Sequence, residues 1–196
     1  MTLIAVLLLS LQASASDPAT SAAAVAVCQS KMAGGACSVE WRGASLEILK
    51  SGSGNITVTS KGGQRLRWAF DCHNDLVEGT RACSLQGGTN ESISISRIFL
   101  RQGGLTNGVT WGGSKFPGSE KIAKIGSLAP MRWDADQTIY GPQAIRVIEA
   151  ARRGGPAIFR WYDWPEQKPN DIEVNFDGFA VVWDLFKAAI EHREKL

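Results

Sequence analysis

Cys72 and Cys83 enclose the residues of this chain best suited to chemistry: His73, one of two histidines, with Asn74, Asp75 and Glu78. Such a set could hold a metal ion, run thiol–disulfide exchange, or form a covalent staple around a loop. Structural zinc sites bring ligands in tight pairs such as Cys-x2-Cys, so that one turn offers two sulfurs to one ion. The four cysteines are spaced otherwise, nine positions from Cys28 to Cys37 and eleven from Cys72 to Cys83. Neither spacing is a zinc knuckle or the Cys-x-x-Cys of a thiol oxidoreductase. Four cysteines allow three pairings. The local one, Cys28–Cys37 and Cys72–Cys83, is expected because each pair brackets a turn-rich loop, "QSKMAGGA" and "HNDLVEGTRA". Closing such loops stabilises by roughly 2–4 kcal/mol each. His73 is then an ordinary loop histidine, and no metal or other cofactor is expected.

Staples need an oxidising destination. The chain opens "MTLIAVLLLSLQASASDPAT". Leu3 to Leu11 is an apolar run of signal-peptide length, too short for the about 20 residues that span a bilayer. Ala13 to Ala15 fits the small-x-small cleavage pattern, so cleavage is expected after Ala15, although no Lys or Arg precedes the apolar run. Residues 1–15 therefore read as a signal peptide, 16–27 as a disordered linker, and 28–196 as a single disulfide-stapled β-rich domain. A lipid anchor at Cys28 fits poorly, because Val27 stands where a small residue is wanted. The expected location is periplasmic or secreted, with no transmembrane segment after cleavage.

Other catalytic patterns fail on their chemistry. Gly113 to Glu120 begins like a phosphate loop but carries Ser119 and Glu120 where Lys and Ser/Thr are needed. Glu120 would repel phosphate. No G-x-S-x-G elbow occurs. A histidine triad would need His73, in the stapled loop, or His192, in a charged terminal helix. No catalytic residue is expected. The stretch most like a surface site is "RWYDWPEQKPND". It supplies the ligand-binding candidates Arg160, Trp161, Tyr162, Asp163, Trp164 and Glu166. Outward aromatic rings there could stack on sugars or on a partner protein, and paired carboxylates at Asp163 and Glu166 could in principle cleave a glycoside. Strand alternation, however, puts Trp161 on one face with Phe159, toward a core, and Pro165 ends the strand. Asn55 and Asn90 head glycosylation sequons, "NIT" and "NES".

The elements that must position these residues are mostly strands. "QRLRWAF" alternates, with Leu66, Trp68 and Phe70 on one face and Arg65 and Arg67 on the other. Ile93 and Ile95 begin the same way, before a continuous apolar run at Ile98 to Leu100. "SLEILK" and "NITVTS" flank the hairpin-like break "SGSG". "NGVTW" and "PAIFRWYDW" are further candidates, and "DIEVNF" alternates as Ile172, Val174 and Phe176. Two helices interrupt the pattern. "GPQAIRVIEAARRGG" has Pro142 near its first turn, Ala144, Ile148 and Ala151 on one face with Ile145 alongside, and Gly154 and Gly155 as stops behind Arg152 and Arg153. The last helix carries a stripe of Phe179, Val182, Trp183, Phe186 and Ile190, with Asp177 placed to cap it and His192, Arg193 and Lys195 in its final turn. The expected fold is mainly β within the α+β class: an antiparallel β-sandwich or partly closed sheet with two helices, the last C-terminal.

With 21 basic and 19 acidic residues the net charge is only +2, and no dense basic cluster stands out, which argues against nucleic acid as a partner. Seven tryptophans and 21 glycines fit a turn-rich fold with large aromatic anchors.

"WAFDC" and the later "CSLQ" resemble the opening signature of the invasion-associated locus B family of bacterial exported proteins, through Trp68, Cys72, Cys83, Leu85 and Gln86. "GGPAIFRWYDWP" and Gly178-Phe179 resemble that family's late strand and closing helix, so the resemblance spans roughly residues 65–190. This chain departs from it in having no cysteine after Cys83, and in Arg67 where the family tends to be acidic. The resemblance implies a periplasmic or surface β-rich domain without catalytic residues, linked in some pathogens to host-cell entry. Residues and resemblance together lead to an exported binding or accessory protein of the bacterial envelope whose partner is a protein or an envelope glycan. The alternative is an envelope-acting, glycosidase-like hydrolase that uses carboxylates.

Overall fold

The computed structural model describes residues 20–32, 35–75, 79–87, 93–101, 103–111, 118–134, 138–163 and 165–192. The expected signal peptide, residues 16–19, Glu78, Asn90, the 113–117 part of the phosphate-loop-like stretch, Trp164, Arg193 and Lys195 lie outside the described residues.

Eight strands form one antiparallel sheet. They are β1 (Ala36–Trp41), β2 (Ala44–Leu49), β3 (Gly54–Thr59), β4 (Arg65–Asp75), β5 (Thr80–Gly87), β6 (Ile93–Phe99) and β7 (Leu105–Trp111), which meander in sequence order, followed by the two-residue β10 (Ile139–Tyr140). Four more build a second antiparallel sheet in the order β12 (Pro169–Asn175), β11 (Pro156–Tyr162), β8 (Glu120–Ile125) and β9 (Met131–Asp134). The expected α+β arrangement of antiparallel strands with a C-terminal helix is observed.

Period-two alternation decides which side of each strand is buried. In β4, Trp68 and Phe70 are buried while Arg65 and Arg67 are exposed. Leu46, Ile48, Ile56, Val58, Leu85, Ile93, Ile95, Val109 and Trp111 line the same inner face. Helix α3 (Phe179–His192) lies across β2, β3 and β4, and α2 (Gly141–Arg152) across β7 and β10. Aromatic rings join the layers. Trp68 packs on Phe176 and Phe179, with centroids 5.7 and 4.9 Å apart, and Trp111 of the large sheet meets Phe159 of the small one at 5.0 Å. Such pairs contribute about 0.5–1.5 kcal/mol each beyond their area. The Trp111 indole N–H donates to the Arg160 carbonyl (3.3 Å), a polar tie between the sheets.

Three expectations are corrected. A third helix, α1 (Ser21–Ser30), occupies part of the segment read as linker. Thr20 caps it by accepting from the Ala23 N–H (3.1 Å), and Ala24, Val25 and Cys28 are buried against α3 and β1. On α2, Val147 rather than Ile145 faces inward, and Ile145 is 47% exposed. Asp177 does not cap α3. Its carboxylate accepts from the backbone of Gly155 (3.2 Å) and Lys61 (3.4 Å), while the Gly178 carbonyl receives the first helical N–H groups, from Val181 and Val182. Gly178 sits at φ +74°, where a Cβ would also overlap Val58, so both conformation and space favour glycine.

The structure pairs Cys28 with Cys37 and Cys72 with Cys83. The first pair bolts α1 to β1. The second joins residues directly opposite on β4 and β5, with Cα atoms 4.0 Å apart. His73 lies beside it, exposed, opposite Ala82.

Candidate binding cleft

The β11–β12 hairpin carries the residues that the sequence nominates, and it divides them between two faces. Register places Arg160 opposite Asp171 and Trp161 opposite Asn170. Arg160 points outward, where Nε and Nη2 grip both oxygens of Asp171 at 2.6 and 2.7 Å. This two-pronged bond holds the Asp171 carboxyl below its ordinary range, and the same bond with the Asp171 charge raises the guanidinium. Tyr162 follows Arg160 by two along the strand after the intervening Trp161, so it continues the outer alternation and lies opposite Pro169.

Trp161 turns inward with Phe159 and packs, half-buried, against the core. Its indole N–H donates to Asp163 Oδ1 (2.7 Å), and the Asn170 amide donates to Asp163 Oδ2. The Asp163 backbone also accepts from Gln167 N–H (3.0 Å) and donates to the Lys168 carbonyl (3.0 Å). Asp163 thus braces the hairpin turn with both carboxylate oxygens engaged. Glu166 sits on the exposed tip of that turn. The candidates therefore do not converge on one surface: Arg160 and Tyr162 face out, Trp161 and Asp163 face in, and Glu166 lies at the end.

A concavity lies at the other end of the hairpin. A cleft of about 620 Å³ separates the first residues of β4 from the last of β12. Leu66, Trp68 and Val174 supply its apolar lining, and Gln64, Arg65, Arg67, Glu173, Asn175 and Asp177 its polar one. Asp177 bridges the two walls, since Lys61 belongs to the β3–β4 turn and Gly155 leads into β11. Arg67 is pinned to the outer face of the sheet, where Nε and Nη2 donate to Asn55 Oδ1 at 3.0 and 2.8 Å. Asn55, the sequon residue, in turn donates to Glu47 (3.4 Å).

Backbone parity gives this cleft a property that side chains alone would not reveal. Phe176 N–H donates to the Gly155 carbonyl (2.9 Å), and Asn175 faces Pro156 in the β11–β12 register. Residues of an antiparallel strand turn their N–H and C=O alternately to one neighbour and to the other side. Ile172 and Val174 therefore spend theirs on β11, and Phe176 gives its N–H to Gly155 while its carbonyl accepts from Phe179, whereas Glu173 and Asn175 direct theirs away from β11. Pro156, opposite Asn175, has no N–H to leave unpaired. Among the described residues β12 pairs with β11 alone. On the facing wall, Ser60 N–H donates to the Gln64 carbonyl (2.8 Å) and Thr59 faces Arg65. The same alternation turns the backbone groups of Arg65 and Arg67 away from β3, toward the side on which, among the described residues, β5 pairs from Ala69 onward. The open edge of β12 and the first residues of β4 thus border one cleft. The sequence marks β12 and β4 as strands, but their meeting depends on how the two sheets pack, and no local pattern encodes it.

No known family model and no curated protein matches the chain. Among solved structures it is similar to invasion associated protein B from Bartonella henselae, over 64% of this chain and 93% of that one, with a TM-score of 0.43 and 14% sequence identity.

Proposed function

We propose that the protein is an exported binding module of the cell envelope and that the cleft between its two sheets is the ligand seat. The observation that supports this reading is the cleft itself. Its volume, about 620 Å³, falls within the range of ligand sites, and its lining is mainly polar, with charged and amide side chains around a small apolar floor. The two disulfides fit an oxidising compartment. The hydrolase reading has less behind it, because Asp163 already spends both carboxylate oxygens on its own hairpin.

Site-specific photo-crosslinking in the native cells tests the proposal. A benzophenone side chain at Gln64, on the cleft rim, should give discrete adducts with an envelope component. The same probe at Ile98, on the far face of the large sheet, should give none. Equal labelling from both positions, or a reduced protein recovered from the cytosol, would overturn it.

A further inference from the structure

We infer that the cleft binds an extended peptide segment of a partner protein, which pairs through its backbone with the open edge of β12. This rests on the binding reading above and names its ligand class. Glu173 and Asn175 each direct an N–H and a C=O out of the ladder, two residues apart along β12. That repeat is about 6.6–6.8 Å, the repeat of an extended peptide backbone. Strand addition at a sheet edge is recognised through such groups, with specificity left to alternate side chains. A glycan presents hydroxyls without this period and would leave the edge groups unmatched.

A second copy of the chain suits the edge poorly. Antiparallel pairing of two β12 strands centred on Ile172 sets Asp171 against Glu173, and pairing centred on Glu173 sets two glutamates face to face. Like charges directly opposite each other are destabilising. The partner peptide is therefore a different sequence, free of acidic residues at the positions that face Glu173.

Selection of random displayed decapeptides on the oxidised chain, followed by synthesis of those selected, provides the probe. Bound peptide should slow amide hydrogen exchange at Glu173 and Asn175. Glu173→Pro removes one outward N–H and none that β11 uses, so it should weaken binding about tenfold, the worth of roughly one good hydrogen bond. Glu173→Ala keeps the N–H and should leave affinity within about threefold on the same scale. Proline could disturb β12 itself, so a second arm leaves the protein unaltered and N-methylates the peptide at alternate residues. Methylation on one parity should abolish binding and on the other spare it. Loss irrespective of parity, or protection confined to other strands, would overturn the inference. If envelope oligosaccharides protect the cleft amides and peptides do not, strand pairing fails while the binding reading stands. If neither changes exchange there, both fail.

Discussion

Gly87 leaves vacant the space that the Trp68 ring occupies: a Cβ built on Gly87 would overlap the six-membered ring of that indole. Gly54 does the same for Phe70 on the other side of β4. The two largest inward side chains of β4 thus lie over glycines of the flanking strands, and Trp68 carries Phe176 and Phe179 with it. Gly87→Ala should therefore cost about 1–3 kcal/mol, the usual range for overpacking a tight core. Urea unfolding measures it. Adding Trp68→Phe should recover part of the loss, because the two sites share one contact and their effects should not add. Unchanged stability in Gly87→Ala would mean that the ring is not seated against β5.

The two disulfides hold different kinds of structure. Cys72 and Cys83 already face each other in a ladder that runs from Ala69 to Asp75. Cys28 belongs to α1, which reaches the rest of the fold only through α3 and β1 among its principal contacts. Closing either loop is worth roughly 2–4 kcal/mol, but the consequence of opening it differs. Cys28→Ser with Cys37→Ser should raise hydrogen exchange throughout α1 and leave the large sheet protected. Cys72→Ser with Cys83→Ser should lower global stability without singling out α1. Uniform loss of protection in the first variant would show that α1 is part of the main cooperative unit.

Asp163 and Glu166 separate bracing from hydrolysis. Asp163→Asn presents an amide N–H₂ where Trp161 and Asn170 both donate, so at least one donor loses its acceptor. The cost should be about 1–3 kcal/mol. Glu166→Gln, on the exposed turn, should stay within about 0.5 kcal/mol. Thermal unfolding of the two single variants gives the comparison. Equal and negligible effects, joined to loss of an envelope-hydrolysing activity in both, would restore the catalytic alternative.

How much of this was legible depends on the residue pattern at each element. β4 and β12 alternate cleanly, and their strands and faces can be read from that, while in β11 the two-residue spacing of Phe159 and Trp161 gives the inward turn of Trp161. β8 cannot be read so. There Lys121 is fully buried and Ile122 is not, with the Lys121 ammonium 5.4 Å from the centre of the Trp111 ring. A cation held by an aromatic face inverts the polar–apolar code on which period-two reading rests. α1 was missed for a different reason. Its alanines look like low complexity, yet alanine is the best helix former, Thr20 supplies the cap, and Cys28 fastens the far end. The cleft was not legible at all, because it belongs to neither sheet alone.

Acid titration tests the outward pair of the hairpin. The Arg160–Asp171 bond lowers the Asp171 carboxyl in the folded state, the hydrogen bond being the larger cause. A depressed carboxyl contributes stability above its unfolded pKa, about 3.9, and loses it as pH falls through the lower folded value. Arg160 is raised, so its own contribution is complete at any acidic or neutral pH and adds no slope there. The stability difference between the parent and Asp171→Asn should thus be full near neutrality, shrink below about pH 4, and diminish with added salt because both side chains are solvent-exposed. Urea midpoints of both proteins at about pH 6 and pH 2.5, either side of that carboxylate range, decide it. A difference that persists undiminished in acid would assign the effect of Asp171→Asn to strand packing and leave the ion pair without a share in stability.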